Sequence, residues 1–403
     1  MRLLVVKAAM TVNGGAARDL LRNLSAISEK FEVRFLCLNL LQEQLIRLQT
    51  LGIETICPDE QWEPVGGLWN EITAGQERSA LSAWRSVNGV REDIDWAEAI
   101  HLTGGNGSME FLKLVPKEKL LHLHFLEAKP GIHEGINHLK PDGTGTWRPH
   151  ILHFLQKFQR KRIEKSFQSF IDNENWIISA NSNFSASKLE SIYKISGGVL
   201  YPSVDLSEFP KDGGIGEEEV FKKIIQYPKH SYVVTIGRIS RFKGTYEVVD
   251  HVKGSGLNLV VIGGRSIEER KSLNDYGEEY DIEVRVLSRL SSEEMCSVMR
   301  NAAAIVGLAH GEAFGLTPIE AMALGVPPIF VNEGGFCETI IDGENGRLID
   351  RGKYDQWTEA LVQAKNIDIR EKWARSGIER IEQLGLTPEN HSIRLYEEIM
   401  RIY

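Results

Sequence analysis

The sequence predicts an α/β protein built from two doubly wound units. Three observations carry this. Short apolar runs alternate with amphipathic helical patterns from the first residues onward, the same rhythm restarts near Ser231, and a seam rich in Pro, Gly and Asp separates the halves at Tyr201–Glu219. The apolar runs are continuous rather than alternating. That marks strands covered on both faces, as in a parallel sheet between helical layers. The first half reads LLVVKAA, ARDLLRNLSAISEKF, EVRFLCLNL, QEQLIRLQTLG and IETICP, a βαβαβ succession, with AEAIHLT, KLLHLHF and WIISANS as later strands. The second half runs from SYVVTIG and GTYEVVDHVKG through LNLVVIGG, SIEERKSLNDYGEEY and EVRVLS to SSEEMCSVMRNA, AAIVGLA, LTPIEAMALG, PPIFVNE and KYDQWTEALVQAK. Ser291 or Ser292 is the expected N-cap of its SSEEMCSVMRNA helix.

Composition sets bounds. A chain of 403 residues exceeds one typical domain, and 42% hydrophobic with 26% charged residues is ordinary for a globular protein. The net charge of −9 argues against bulk nucleic-acid binding but leaves room for a local basic pocket. Cys37, Cys57, Cys296 and Cys337 form no CxxC pair and read as reduced thiols of a cytoplasmic protein. MRLLVVKAAM reads as a buried first strand rather than a signal peptide, and no apolar run is long enough to span a membrane.

In open sheets of this kind, ligands bind beyond the carboxyl ends of the strands. After SYVVTIG comes RISRFKG, which puts Arg238 and Lys243 in a strand-to-helix loop between Gly237 and Gly244. Two cations beside a helix start suit a diphosphate; the alternative is a solvated basic loop. After AAAIVGLAH comes GEAFGLTPIEAMALG, with Glu312 in the loop and Glu320 eight positions later in the early turns of a helix. The N–H groups of Phe314, Gly315 and Leu316 make a natural anion seat at that helix start, with Ala313 and Thr317 flanking it as further donor-site candidates, and Pro318 fits the first turn. A carboxylate at Glu320 suits a ribose diol, which leaves Glu312 for sugar hydroxyls. VVIGGRS, with Gly263, Gly264 and Arg265 at a strand end, lacks a full G-x-G-x-x-G; it is expected to lie near the nucleoside of a nucleotide ligand.

GRISRFKG, followed about 70 residues later by EAFGLTPIEAMALGVPPIFVNEGGFCETIIDGENGRLI, resembles family 4 of the retaining GT-B-fold glycosyltransferases, the glycosyl transferases group 1. The resemblance covers Ser231–Asp350, with looser similarity at ISANSNFSASKL and YPSVDLSEF. LTPENHSIRLYEEIMRIY resembles the family's last helix, which returns to the first domain. It implies a GT-B fold: two Rossmann-like doubly wound domains facing a central cleft. An acceptor-side domain would span 1–203, joined by the helix 388–403, and a donor-binding domain would span 204–387.

Roles carry over residue by residue. Arg238 and Lys243 would bind the nucleotide diphosphate and stabilise the departing charge. Gly315, Leu316 and Thr317 would hold the distal phosphate, Glu320 the ribose, and Glu312 the donor sugar. Transfer would retain the anomeric configuration by front-face attack, with no metal and no cofactor. Gly14 and Gly15, in TVNGGAAR, resemble the family's Gly-Gly loop near the donor phosphate, with Asn13 and Arg18 as neighbours.

Seven of the eleven histidines lie in His101–His153. His124, at the end of LLHLHF, is either a sugar-side catalytic group, as the family often has there, or a packed hydrogen-bonded histidine. The string DID at Asp93–Asp95 matches the D-x-D of metal-dependent glycosyltransferases, but it precedes a strand instead of ending one. HFLQKFQRKRIEKSF reads first as an amphipathic helix packed on the first domain, and second as a peripheral contact with an acidic membrane surface. KPDGTGTWRP beside it reads as an acceptor lid.

The expected function is transfer of a hexose from a nucleotide diphosphate sugar, most simply a UDP-sugar, to a hydroxyl of a glycan or glycolipid. Nucleic acid is not an expected partner. The alternatives are a nucleotide-sugar epimerase of the same architecture and a non-catalytic sugar-nucleotide-binding subunit. An oxidoreductase reading rests on the fold alone.

Overall fold

The computed structural model describes residues 1–10, 15–65, 70, 73–127, 144, 161, 163–210, 213–214, 217–264 and 266–403. Asn13, Gly14, Arg265, the KPDGTGTWRP stretch apart from Thr144, and most of HFLQKFQRKRIEKSF lie outside the described residues. The chain divides into two compact units. One comprises Met1–His133, Arg148–Ser203 and Leu386–Tyr403, and the other includes Val204–Gly385.

The first unit holds a seven-stranded sheet in the order β3-β2-β1-β4-β5-β6-β7. Its strands are β1 (Arg2–Ala9), β2 (Glu32–Asn39), β3 (Glu54–Ile56), β4 (Ala99–Thr103), β5 (Leu120–Phe125), β6 (Trp176–Ala180) and β7 (Gly198–Val199). Every neighbouring pair is parallel. Side chains alternate faces along a strand, so the continuous apolar run of β1 feeds two cores. Leu4, Val6 and Ala8 pack with Leu36, Leu38, Ile100 and Leu102 on one face. Leu3 and Val5 pack with Phe35, Cys37 and Ala99 on the other.

Helices α1 (Gly15–Ser28) and α2 (Gln42–Thr50) follow β1 and β2, while α3 (Gly75–Ser86) and α4 (Val90–Trp96) precede β4. The sequence between β3 and β4, Gln61–Glu98, is rich in tryptophan (Trp62, Trp69, Trp84 and Trp96) and does not follow the α/β rhythm; its described part contributes to the core. Trp62 and Trp84 are buried under the first face, and Trp84 Nε1 donates to the Gly107 carbonyl at 2.8 Å. Helix α5 (Asn183–Tyr193) opens on a Ser182 cap.

The second unit holds a six-stranded, all-parallel sheet in the order β10-β9-β8-β11-β12-β13. Its strands are β8 (Tyr232–Gly237), β9 (Asn258–Gly263), β10 (Val284–Leu287), β11 (Ala304–Gly307), β12 (Pro328–Val331) and β13 (Arg347–Ile349). Its helices are α6 (Glu217–Ile224), α7 (Thr245–Val252), α8 (Ile267–Glu278), α9 (Ser292–Arg300), α10 (Leu316–Ala323), α11 (Phe336–Thr339), α12 (Tyr354–Gln363) and α13 (Ile367–Leu384). Ser291 is the N-cap of α9, closing a capping box with Glu294; Ser266 and Glu269 do the same for α8. Gly385, at φ 62°, ends α13 in the left-handed conformation that suits glycine.

The last helix, α14 (Pro388–Met400), belongs to the first unit. Its Leu395 and Ile399 join Leu20, Leu24 and Ile27 of α1 in one core, and Ser392 Oγ donates to the Ala26 carbonyl at 2.8 Å.

Both sheets reverse strand order beside their first strand: β1 lies between β2 and β4, and β8 between β9 and β11. At such a switch point two successive strand-to-helix loops splay apart, which opens a crevice at the carboxyl edge. The second unit places both sequence-predicted motifs at its switch point, one after β8 and the other after β11.

Candidate functional site

The site in the second unit is built on glycines that let backbones approach. Gly237 ends β8 beside Gly263 of β9, at φ 142° and 149°. A Cβ on Gly263 would lie 1.9 Å from the Gly237 carbonyl oxygen. The loop from Arg238 to Gly244 then folds on itself. The Thr245 hydroxyl donates to the Arg238 carbonyl at 3.0 Å, and the Lys243 N–H to Ser240 Oγ at 3.1 Å. Gly244 starts α7 at φ 68°, where a Cβ would meet the Leu308 carbonyl at 2.1 Å. That close approach clasps the two switch-point loops together, and His310 N–H completes the clasp on the Phe242 carbonyl at 2.9 Å.

The loop after β11 rests on the Gly-Gly pair that follows β12. Gly335 N–H donates to the Glu312 carbonyl at 2.8 Å. A Cβ at Gly335 would come within 2.4 Å of Phe314 Cα. Gly315 caps α10 at φ 86°, with the Phe336 ring where its Cβ would be. The first-turn N–H groups of α10, from Leu316 onward, have no partner inside the helix and carry the positive end of its dipole.

Lys243 and Glu312 meet across the switch point, Nζ to Oε2, at 2.7 Å. Their side chains are 28% and 26% exposed, so the pair is half-sheltered and reachable from solvent. Spacing alone leaves Glu312 available for a sugar; in the structure it holds the very ammonium that the family resemblance assigns to the diphosphate. Arg238, in the same loop as Lys243, is exposed, and Ala313, Phe314 and Gly315 are buried. Glu320 is 2% exposed, and Glu312 is the more exposed of the two carboxylates. Gly264, at φ 73°, packs on Ile239, and its carbonyl accepts from Arg270, which also reaches Ser288 Oγ at 2.7 Å.

The motifs do not announce the layer that supports this pair. Arg351 grips both oxygens of Glu333, at 3.1 and 2.8 Å, and donates to the Leu308 carbonyl at 2.9 Å. His310 lies 3.8 Å from the same Glu333. Burial and the Arg351 charge push His310 below the usual imidazole range, against the pull of Glu333. Glu333 lies in the loop after β12, separated from the strand by Asn332, and like Glu312 it is a carboxylate just beyond the carboxyl end of a strand; that signal would have found it. Arg351 carries no such signal.

The first unit divides its predicted residues differently. Gly15 begins α1. His124 is packed and hydrogen-bonded: it is 2% exposed, and its Nε2 lies 3.0 Å from the Leu200 carbonyl. It belongs to a buried polar cluster. His101 and His122 share an Nδ1···Nδ1 hydrogen bond of 2.9 Å, His122 reaches Ser179, and His391 meets the Tyr201 carbonyl at 2.7 Å. Burial drives all four imidazoles below their usual range. Asp93 of the DID string lies on α4 and pairs with Arg34 at 2.8 Å, while the Arg34 guanidinium stacks 4.2 Å over Trp96. That is an internal ion pair. Among the described residues no group of three or more His, Cys, Asp or Glu is placed to hold a metal. Among the same residues no helix is long and apolar enough to cross a membrane.

Comparison with known proteins agrees with this layout. Residues 216–380 match the family described as Glycosyl transferases group 1. The chain is 26% identical over 217 residues to a D-inositol 3-phosphate glycosyltransferase of Corynebacterium urealyticum, covering 50% of this chain and 51% of that protein. It is 30% identical over 199 residues to the Alpha-1,3/1,6-mannosyltransferase ALG2 of Dictyostelium discoideum, covering 42% and 47%. The chain thus spans about half the length of these curated relatives. Among solved structures, Anabaena Alr3699/HepE in complex with UDP superposes with a TM-score of 0.69 at 14% identity, covering all of both chains. The sucrose-phosphate synthase of Thermosynechococcus elongatus does so at 0.74 and 14%, again over all of both. Two parallel-sheet Rossmann-like units and whole-chain structural neighbours identify a GT-B fold, and within its second unit residues 216–380 match the glycosyl transferases group 1 model.

Proposed function

We propose that this chain is a retaining, metal-independent glycosyltransferase that moves a hexose from a UDP-sugar to a hydroxyl of a glycan or glycolipid. The observation that carries the reading is the Lys243–Glu312 pair at the switch point of the second sheet, beside the α10 N-terminus. A nucleoside diphosphate offers more negative charge than one carboxylate. When the donor arrives, the Lys243 ammonium moves from Glu312 to the diphosphate. Glu312 is thereby released to accept from sugar hydroxyls. Arg238 adds a second cation, and the first-turn N–H groups of α10 receive the distal phosphate. As the glycosidic bond breaks, charge builds on that phosphate, and these groups stabilise it. Glu320 takes the ribose.

Similar structures support UDP and its sugar as the donor class, since HepE is described in complex with UDP and with UDP-glucose. The relatives' names point to varied acceptors, which supports a hydroxyl compound as the acceptor class and nothing narrower. The first unit supplies the acceptor side. The expected setting is cytoplasmic, with peripheral membrane contact wherever the acceptor is a lipid.

The test is a transfer assay with UDP-hexoses and a glycan or glycolipid mixture in EDTA, with the product anomer read by NMR. The expected result is acceptor-dependent UDP release and retained configuration. An inverted product, or donor converted with no acceptor present, would overturn it.

A further inference from the structure

Cys37 and Cys57 lie far from Lys243 and Glu312 in sequence and play no part in the proposed function. Cys37 is on β2, and Cys57 directly follows β3. The register of these parallel strands pairs Leu36 with Ile56, so Cys37 and Cys57 occupy the next matched positions. Their sulfurs lie 3.3 Å apart on the face that packs against α1. Neighbouring strands run about 4.8 Å apart, inside the Cα separation that a disulfide tolerates. Cys37 is fully buried and Cys57 half-buried. The geometry therefore offers one thiol to solvent with a second directly behind it. We propose that Cys37 and Cys57 form a peroxide-responsive dithiol, a modification site that closes to a disulfide stapling the β2–β3 edge of the first sheet.

The chemistry balances. The Cys57 thiolate attacks one peroxide oxygen, the O–O bond breaks, and the hydroxide leaves as water after taking a solvent proton. This leaves Cys57 as a sulfenic acid. Cys37 Sγ then attacks Cys57 Sγ. The S–S bond forms, the S–O bond breaks, and the departing hydroxide carries off the Cys37 proton as a second water. Two thiols are oxidised and one peroxide is reduced. The shared hydrogen bond lowers Cys57 below the usual thiol range and raises Cys37 above it, which suits them to attacking and resolving roles respectively.

Cys337 is an internal control, because it is exposed and its sulfur bonds to the Asn332 side chain rather than to another thiol. The full chain is treated with graded hydrogen peroxide, alkylated, digested and analysed by mass spectrometry. The expected result is a Cys37–Cys57 linked peptide, lighter by two hydrogens and restored by dithiothreitol. It should appear at peroxide levels that leave most Cys337 alkylatable. In Cys37→Ser, Cys57 should instead proceed to the sulfinic acid. Cys337 oxidised first with no linked peptide, or Cys57 over-oxidised in the unaltered chain while Cys37 remains alkylatable, would overturn the proposal.

Discussion

Glu312→Gln separates two jobs that fall to one carboxylate. The amide keeps the side-chain shape and removes the charge that faces Lys243 at 2.7 Å. At an effective dielectric of about 20, two unit charges about 4 Å apart attract by about 4 kcal/mol. A pair whose side chains are 28% and 26% exposed retains only about 1 kcal/mol of that after solvent screening and the cost of ordering both chains. A diphosphate must displace Glu312 from Lys243 and so forfeits that amount. Removing the competitor should therefore tighten binding of the bare nucleoside diphosphate by about fivefold. The sugar-bearing donor loses hydrogen bonds to a charged acceptor, worth roughly 1.5–3 kcal/mol, so its affinity should fall. Titration calorimetry of UDP and of a UDP-hexose, on wild type and variant in EDTA, reads both signs. In a Lys243→Ala background the gain for UDP should vanish, because the competition has lost its object. Equal weakening of UDP and UDP-hexose by Glu312→Gln, or a UDP gain that persists without Lys243, would rule out this competition.

Three further outcomes follow from the packing and the buried charges. Gly263→Ala should cost at least about 2–3 kcal/mol in urea unfolding, since its Cβ would sit 1.9 Å from the Gly237 carbonyl at a φ of 149°; a loss below about 0.5 kcal/mol would contradict the close approach. Burial pushes the four histidines His101, His122, His124 and His391 below their usual range when folded, whereas in the unfolded chain they take up protons near pH 6.5. The unfolded state therefore binds more protons below that pH, and stability should fall on acidification by up to about 1.4 kcal/mol per pH unit for each histidine, measured from about pH 7.5 to 5.5; flat stability across that window would count against the cluster. Asp93→Asn breaks the pair with Arg34 and should lower stability by about 1–3 kcal/mol while leaving nucleotide binding and its insensitivity to EDTA unchanged; altered metal dependence would reopen the D-x-D reading.

The fold was legible because parallel strands write themselves as continuous apolar runs. Strands β1, β2, β8 and β9 are unmistakable in LLVVKAA, EVRFLCLNL, SYVVTIG and LNLVVIGG. The edge strands β7 and β13, two and three residues long, left no periodicity to read. The tryptophan stretch hid α3 and α4 because Trp62 and Trp84 serve the core and not an amphipathic stripe.

At the site, spacing located Lys243 and Glu312 in their loops, but only three-dimensional proximity showed that they pair. The Glu333–Arg351 brace joins residues 18 positions apart, a separation with no local signal. His124 illustrates the reverse. A histidine at a strand end reads equally as chemistry or as packing, and its bond to the Leu200 carbonyl, 76 residues away, leaves no mark in the sequence.

The proposed function turns on whether the Lys243–Glu312 switch point receives a nucleoside diphosphate sugar without a metal. A thermal-shift panel of UDP-, GDP-, ADP- and dTDP-sugars on wild type and Lys243→Ala, with and without EDTA, asks this directly. A ligand at about 100 times its dissociation constant stabilises the folded state by about 2.7 kcal/mol, a readable shift. UDP-sugars should raise the melting temperature, EDTA should leave the rise intact, and Lys243→Ala should remove most of it. No shift with any donor, a shift abolished by EDTA, or a shift indifferent to Lys243 would contradict metal-free donor binding at this site.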